Sequence, residues 1–308
     1  MKENAVEVSH LKKYYRDIKA VDDVSFVVKK GELFGFLGVN GAGKSTTINM
    51  LCTLFPPTGG TGQILGMELC KENEKIRRHI GVVYQNNCLD ERLSVKENLM
   101  LRGGLYETDQ KILCRNLKNV CDILTLSDVL KRPYGKLSGG QKRRAEIAAA
   151  LMHSPDILFL DEPTTGLDPA TRKSVWETVY SLQRNAGMTV FLTTHYMEEA
   201  ANADHIAIME KGHLVQFGTP FELKDRFAKD RLCLVPAHGK REELLTLLKQ
   251  RNVHCREKDY FLTIALNRTM DALPYLNELK PLLSGFEVIQ GTMDDVFLNV
   301  TEGDEQYA

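Results

Sequence analysis

Apolar and polar positions alternate at Val6-Glu7-Val8 and again across Val21–Val28, the period-two pattern of a half-buried antiparallel strand pair. Leu33-Phe34-Gly35-Phe36-Leu37 is apolar without alternation and leads into glycines, which predicts a buried strand running into a turn. From about Asn87 to Lys131 the period changes. Leu93, Val95, Leu99 and Leu101, then Leu113, Leu117, Val120, Ile123, Leu124 and Leu126, recur at helical spacing and predict helices with one apolar face. Beyond Asp156, short apolar runs at Ile157–Leu160 and Thr189–Leu192 alternate with helical stretches, as in a parallel α/β sheet covered on both faces. A hairpin closes this unit: Ala207-Ile208-Met209, a turn at Glu210-Lys211-Gly212, then Leu214–Phe217, followed by the break Gly218-Thr219-Pro220.

A charged helix over 221–230 is expected to link to a second unit at 231–308. There the pattern predicts strand 231–235, helix 240–251, strands 253–257 and 260–265, helix 270–281, strand 286–290 and a last amphipathic helix at 294–301. The β-α-β-β-α-β order suggests a small α+β, ferredoxin-like sandwich.

With 308 residues, 43% hydrophobic and 26% charged, the chain is long enough for one large and one smaller core. A net charge of -1 gives no electrostatic case for nucleic acid or an anionic membrane surface, and Lys142-Arg143-Arg144 is expected to be a solvated helix face. Met1–His10 lacks the basic and apolar regions of a signal peptide, and no apolar run approaches the ~20 residues of a membrane-spanning helix. Seven scattered cysteines without a C-x-x-C pair speak against a disulfide framework or zinc site and suit a reducing cytosol.

Candidate chemistry begins after the buried strand. Gly38-Val39-Asn40-Gly41-Ala42-Gly43-Lys44-Ser45 fits G-x-x-x-x-G-K-[ST], the phosphate cradle of a P-loop NTPase, and Thr46 completes the candidate nucleotide-binding set. Glycines let backbone N–H groups approach phosphate oxygens, and the helix starting near Lys44 adds its positive end. Lys44 is expected on the β- and γ-phosphates, and the Ser45 hydroxyl on Mg²⁺. Downstream, Ile157–Leu160 ends in Asp161-Glu162. The C-terminal end of such a strand opens at the ligand crevice, so Asp161 is expected to hold Mg²⁺ through water and Glu162 to act as general base. Leu137-Ser138-Gly139-Gly140-Gln141 then offers a hydroxyl and bare amides at another helix start, either as a plain Ser138 cap or as a second anion site. One γ-phosphate cannot use both sites of a single chain if they lie on separate subdomains. Two copies placed head to tail can complete each other's site.

These residues resemble the ATP-binding cassette (ABC) ATPases over about residues 4–220. The glutamine loop of that family is similar to Val82-Val83-Tyr84-Gln85, its signature to Leu137–Gln141, its D-loop to Thr165-Gly166-Leu167-Asp168 and its switch histidine to His195 in Thr193-Thr194-His195. The resemblance implies a RecA-like core sheet with an antiparallel β-subdomain and a helical subdomain at about 87–131. It further implies catalytic roles for Lys44, Gln85, Glu162 and His195, Mg²⁺ contacts from Ser45, Gln85 and Asp161, and communication across the dimer through Asp168. Adenine is expected to stack on Tyr15, with Tyr14 a register alternative. On this reading residues 1–220 form the nucleotide-binding domain, closing on a second ABC subunit as a homodimer or heterodimer.

Leu137–Arg144, Leu158–Pro169 and the tail Gly291–Leu298 resemble the daunorubicin-resistance and lipid-exporter (ABCA-like) branch. That resemblance implies an exporter with a separately encoded multi-spanning permease, and a chain peripheral on the cytoplasmic face of the cell membrane. Tyr84 stands where proline is common in the family, and the acidic segment preceding the signature of many fused exporters is absent. A soluble ABC ATPase acting on nucleic acid or ribosomes is the alternative, although the second cassette, coiled-coil insertion or zinc-spaced cysteines usual there are not found. For the tail, Val296, Phe297, Leu298 and Val300 are expected either to dock on a partner or to pack on their own sheet; ligand-gated regulation is a further role open to the second unit.

Overall fold

The computed structural model describes residues 3–258 and 260–302. It divides between Phe217 and Gly218 into two units. The first unit opens with the predicted alternation turned into a sheet. β1 (Asn4–Tyr15) and β2 (Ile18–Lys29) pair antiparallel, with Val6 opposite Val28 and Val8 opposite Phe26. After β3 (Leu33–Leu37) and α1 (Lys44–Leu51), β4 (Gly59–Ile64) and β5 (Met67–Glu68) complete this sheet in the order β2-β1-β4-β5.

A second sheet carries the site. α2 (Asn73–His79) leads into β6 (Ile80–Val83), and two helices follow, α3 (Val95–Gly104) and α4 (Gln110–Leu124). Then come α5 (Gly139–Leu151), β7 (Ile157–Asp161), α6 (Pro169–Ala186), β8 (Thr189–Thr194), β9 (His205–Glu210) and β10 (His213–Gly218). The sheet order is β10-β9-β3-β8-β7-β6, parallel from β9 to β6. Every residue of β3, β7 and β8 is buried, which is why these strands lack alternation. Phe26 of the antiparallel sheet stacks on Phe34 at 5.4 Å, and Phe34 meets Phe191 at 5.1 Å, so aromatic packing joins the two sheets. Each such buried ring contributes about 1.5–3 kcal/mol.

The predicted helical stretch is two helices. α3 starts at a reciprocal cap in which Glu97 Oε2 accepts from Ser94 N at 2.7 Å and Ser94 Oγ accepts from Glu97 N at 3.2 Å. Leu101 and Ile123, expected in the apolar stripe, are 62% and 49% exposed. At 3.6 residues per turn, each lies roughly 100–140° from the centre of its helix's buried face.

In the second unit the helix expected as a linker, α7 (Pro220–Phe227), packs with α10 (Met293–Glu302), where Asn299 Nδ2 donates to Phe227 O at 2.6 Å. Between them come β11 (Asp230–Pro236), α8 (Arg241–Gln250), β12 (Cys255–Lys258), β13 (Phe261–Leu266), α9 (Ala272–Leu279) and β14 (Leu283–Ile289). The sheet order is β12-β13-β11-β14, antiparallel throughout. Leu244, Leu248 and Leu279 of the helices share a core with Leu232, Leu234, Leu262 and Ile264 of the strands. Val296 and Phe297 are buried, at 0% and 8% exposure, so they are not the free docking face that one expectation for the tail required. Among the described residues no helix is long and apolar enough to cross a membrane.

Candidate functional site

Strand register brings the candidate residues to one edge of the parallel sheet. Leu37 lies opposite Thr194, and Asp161 opposite Thr193, so the ends of β3, β7 and β8 are level. The loop after β3 is tight. Gly43 has φ +106°, and a Cβ there would fall 2.3 Å from the Ala20 carbonyl oxygen. Gly41 also has a positive φ (+82°), but an added Cβ would meet nothing within 4 Å, leaving that face of the loop open to a ligand. Lys44, the first residue of α1, is only 4% exposed, and its Nζ donates to Gly38 O at 2.7 Å and Val39 O at 3.2 Å. Burial lowers its pKa from the ordinary lysine value, while the Glu162 and Asp161 charges act in the opposite direction.

The acids at the end of β7 are held by β8. Thr193 Oγ1 donates to Asp161 Oδ1 at 2.6 Å and accepts from Glu162 N at 3.1 Å. Ser45 Oγ lies 3.3 Å from the same Asp161 oxygen. Glu162 has φ +47°, a left-handed conformation costing of order 1–3 kcal/mol for a residue with a side chain. Its carboxylate is 92% buried and converges with the other catalytic candidates. Oε1 is 3.7 Å from Lys44 Nζ, and Oε2 accepts from Gln85 Nε2 at 3.2 Å and Thr165 Oγ1 at 3.1 Å. His195 Nδ1 is 3.3 Å from Oε2, but its direction is not that of a hydrogen bond, and this buried nitrogen has no other partner. The cleft, of about 260 Å³, is walled by Asn40, Gly41 and Gly43 to Thr46 on one side and by Gln85 and Glu162 on the other. Ser45, Asp161 and Gln85 present few, hard oxygen donors, which fits Mg²⁺ because it keeps several waters and takes substrate phosphates as further ligands.

Other expected residues lie outside the cleft lining. Tyr15 is 44% exposed, edge-on to Phe55 at 6.3 Å, with Lys13 Nζ 5.3 Å from its ring centre. The Tyr14 hydroxyl donates to Asp22 Oδ1 at 2.5 Å, and Lys19 Nζ lies 5.5 Å from the Tyr14 ring centre, so each ring of the pair carries a lysine and Tyr15 is the more exposed of the two. Ser138 caps α5, with Gln141 Oε1 accepting from Ser138 N at 3.1 Å. Leu137 is buried and Gly139 lies beside Leu167, while a Cβ on Gly140 would fall 2.4 Å from Thr171 Cγ2. Asp168 caps α6 through Ala170 N and Thr171 N at 3.1 and 3.0 Å, and the Thr171 side-chain hydroxyl, ahead of these amides, holds its carboxyl pKa down.

The basic cluster departs from expectation. Arg143 is 5% exposed, not solvated, and its guanidinium donates to the backbone of the glutamine loop and of the acidic strand end. Its neighbours Ala145, Ile147, Ala148 and Ala150 are also buried. That apolar run, too wide for one face of an exposed helix, is the sequence signal that α5 is an interior helix.

Residues 21–165 match the model of the ABC transporter family. Over 305 residues the chain is 38% identical to the daunorubicin/doxorubicin resistance ATP-binding protein DrrA of Streptomyces peucetius, covering 96% of this chain and 92% of that one. The chain belongs to the ABC transporter family. It is also 41% identical over 228 residues to the probable multidrug ABC transporter ATP-binding protein YbhF of Escherichia coli, where the match takes in 74% of this chain but only 39% of that relative's length. Among solved structures, an ATP-binding cassette in a dimeric post-hydrolysis state bound to ADP and Pi superimposes with a TM-score of 0.64 at 28% identity, covering 70% of this chain and 98% of that one. The first unit therefore has the fold of ABC ATPases, with Lys44, Gln85 and Glu162 lining one cleft and His195 beside Glu162.

Proposed function

We propose that this chain binds ATP with Mg²⁺ and hydrolyses it to power an exporter of drug, lipid or other amphipathic cargo, acting on a separately encoded multi-spanning permease from the cytoplasmic face of the membrane. The observation that carries the reading is the Glu162 carboxylate, which is buried beside the phosphate loop and surrounded by Lys44, Gln85 and His195. Relatives named for daunorubicin/doxorubicin resistance, linearmycin resistance and Nod factor export support the export direction.

In this mechanism Ser45, Asp161 and Gln85 would hold Mg²⁺, which would supply positive charge to neutralise the phosphates. The loop amides from Gly38 to Thr46 cradle the phosphates, and adenine stacks on Tyr15. Lys44 turns its ammonium from the Gly38 and Val39 carbonyls toward the β- and γ-phosphates. Glu162 accepts the proton of the attacking water at its carboxylate, while Gln85 and His195 orient water and γ-phosphate. Ser138 and Gly140 of a second ABC subunit close the site, and Asp168 lies at the contact between the two. The antiparallel order of β14-β11-β13-β12 supports a ferredoxin-like second unit.

The test is Glu162→Gln, with ATP affinity, turnover and oligomeric state measured together. ATP binding retained, turnover lost and an ATP-bound dimer accumulated is the expected result. Turnover at the wild-type rate removes Glu162 as the base.

A further inference from the structure

The glutamine loop is anchored at both ends by one helix. On its strand side, Arg143 Nη1 donates to Tyr84 O at 2.6 Å, immediately before Gln85. On its far side, Glu146 Oε1 accepts from Cys88 N at 2.8 Å and Leu89 N at 3.1 Å, and from the Tyr134 hydroxyl at 2.8 Å. Both side chains belong to α5, one turn apart on the same face, and both residues are buried, at 5% and 7% exposure. Arg143 also reaches the strand that carries the base: Nε donates to Pro163 O at 2.5 Å and Nη2 to Asp161 O at 3.4 Å. One guanidinium thus ties the residue before Gln85 to the two residues flanking Glu162.

A buried charge is costly unless paired and fully hydrogen-bonded, and such groups are rigid when satisfied. Here the guanidinium's carbonyl partners and the carboxylate's amide partners leave the loop little freedom except at Gln85–Asn87. The Gln85 side chain then extends to Glu162 Oε2 at 3.2 Å. The same helix begins at Ser138, about 7–12 Å of helical rise from the two anchors. A hydrogen-bonded helix is a stiff element over this length and can carry a displacement of its end to the anchors.

We propose that Arg143 and Glu146 are positioning residues that set Gln85 against Glu162, so that the state of the helix start at Ser138 is felt at the hydrolytic base. The inference rests on the ATPase reading above. Neither residue contacts the cleft; both act through the loop.

The experiment measures kcat and KM for ATP of the full chain in five forms: wild type, Glu146→Leu, Glu146→Gln, Gln85→Ala, and Glu146→Leu combined with Gln85→Ala. Glu146→Leu removes the acceptor and is expected to lower kcat about tenfold or more with KM changed less than about threefold, the signature of lost positioning. Glu146→Gln keeps a carbonyl oxygen for the loop amides and is expected to recover kcat to within about threefold of wild type. In the Gln85→Ala background, Glu146→Leu should cost less than about twofold more, because residues acting as one unit are not additive. A merely structural Glu146 would instead repeat its full loss there, and that result, or a normal kcat for Glu146→Leu, overturns the proposal. Should Glu146→Leu fail to fold, Arg143→Lys carries the same comparison, since an ammonium cannot span the three carbonyls. A wild-type chain that does not hydrolyse ATP overturns the function reading itself, whereas an active wild type with additive variants overturns only the positioning role.

Discussion

Thr193 and Asp161 are joined by a 2.6 Å hydrogen bond, from the hydroxyl of one parallel strand to the carboxylate ending the next. The same threonine oxygen accepts from Glu162 N, so one buried side chain of β8 orients both acids of β7. Thr193→Val keeps the shape and removes that oxygen. It is expected to lower kcat for ATP hydrolysis and to cost about 1–3 kcal/mol in denaturant unfolding, the range for buried polar groups left without a partner. Thr193→Ser restores both, and wild-type kcat in the valine variant would remove Thr193 from the site.

Ser138 caps α5 in this chain, and in the proposed head-to-tail dimer it would face the partner's phosphates. Ser138→Arg puts a long side chain where the second subunit must close. Hydrolysis is expected to fall by two orders of magnitude or so, as for other lost transition-state contacts, while ATP affinity of the separate chain stays near normal. Nucleotide binding by fluorescence and phosphate release separate the two, and unimpaired hydrolysis contradicts the shared site.

Tyr14 and Tyr15 differ in what their rings are free to do. Tyr14 is tied to Asp22, whereas the Tyr15 hydroxyl is not held in this way and its ring, 44% exposed, carries Lys13 that adenine would displace. Tyr15→Ala is expected to weaken ATP binding by about 1–3 kcal/mol, the scale of base stacking on an aromatic ring, and Tyr14→Phe to leave it close to wild type. Equilibrium binding of ATP and of inorganic triphosphate checks the assignment, because only ATP should respond to Tyr15→Ala.

His153 Nε2 is 3.0 Å from Ile80 O, and its ring stacks on Tyr106 at 4.0 Å. Burial, the larger cause, lowers its pKa below the ordinary histidine value despite that carbonyl. The unfolded chain therefore binds a proton more readily than the native one between the lowered pKa and about 6.5. Stability supplied by neutral His153 is present above pH 6.5 and is lost as pH falls through the folded value. Urea unfolding between pH 7.5 and 5 is expected to show that fall, with a shallower slope in His153→Gln; an unchanged slope sinks the assignment.

The phosphate loop and the acidic pair were legible because each is a short contiguous segment whose backbone geometry is local. Gly41 and Gly43 sit at positive φ, and Asp161-Glu162 ends an apolar strand. The helical pattern of α3 and α4 was legible for the same reason, although Leu101 and Ile123 lay off the buried stripe, because periodicity identifies a face without saying how wide a face the neighbours cover. Leu137–Gln141 had two readings in one dimension, as a plain Ser138 cap or as a second anion site. The reciprocal cap between Ser138 and Gln141 supplies the first without removing the second.

The sequence by itself determined the P-loop, the strand ends that meet it and the identity of the candidate base, since these follow from local spacing and from burial of whole strands. Only the tertiary structure decided which distant groups hold them. Gln85 meets Glu162 across 77 positions, Thr193 meets Asp161 across 32, and Arg143 reaches Tyr84 across 59. No local pattern marks such partners, because a buried guanidinium and a solvated one are written with the same letter, and parallel strands come into register only once the helices between them have packed.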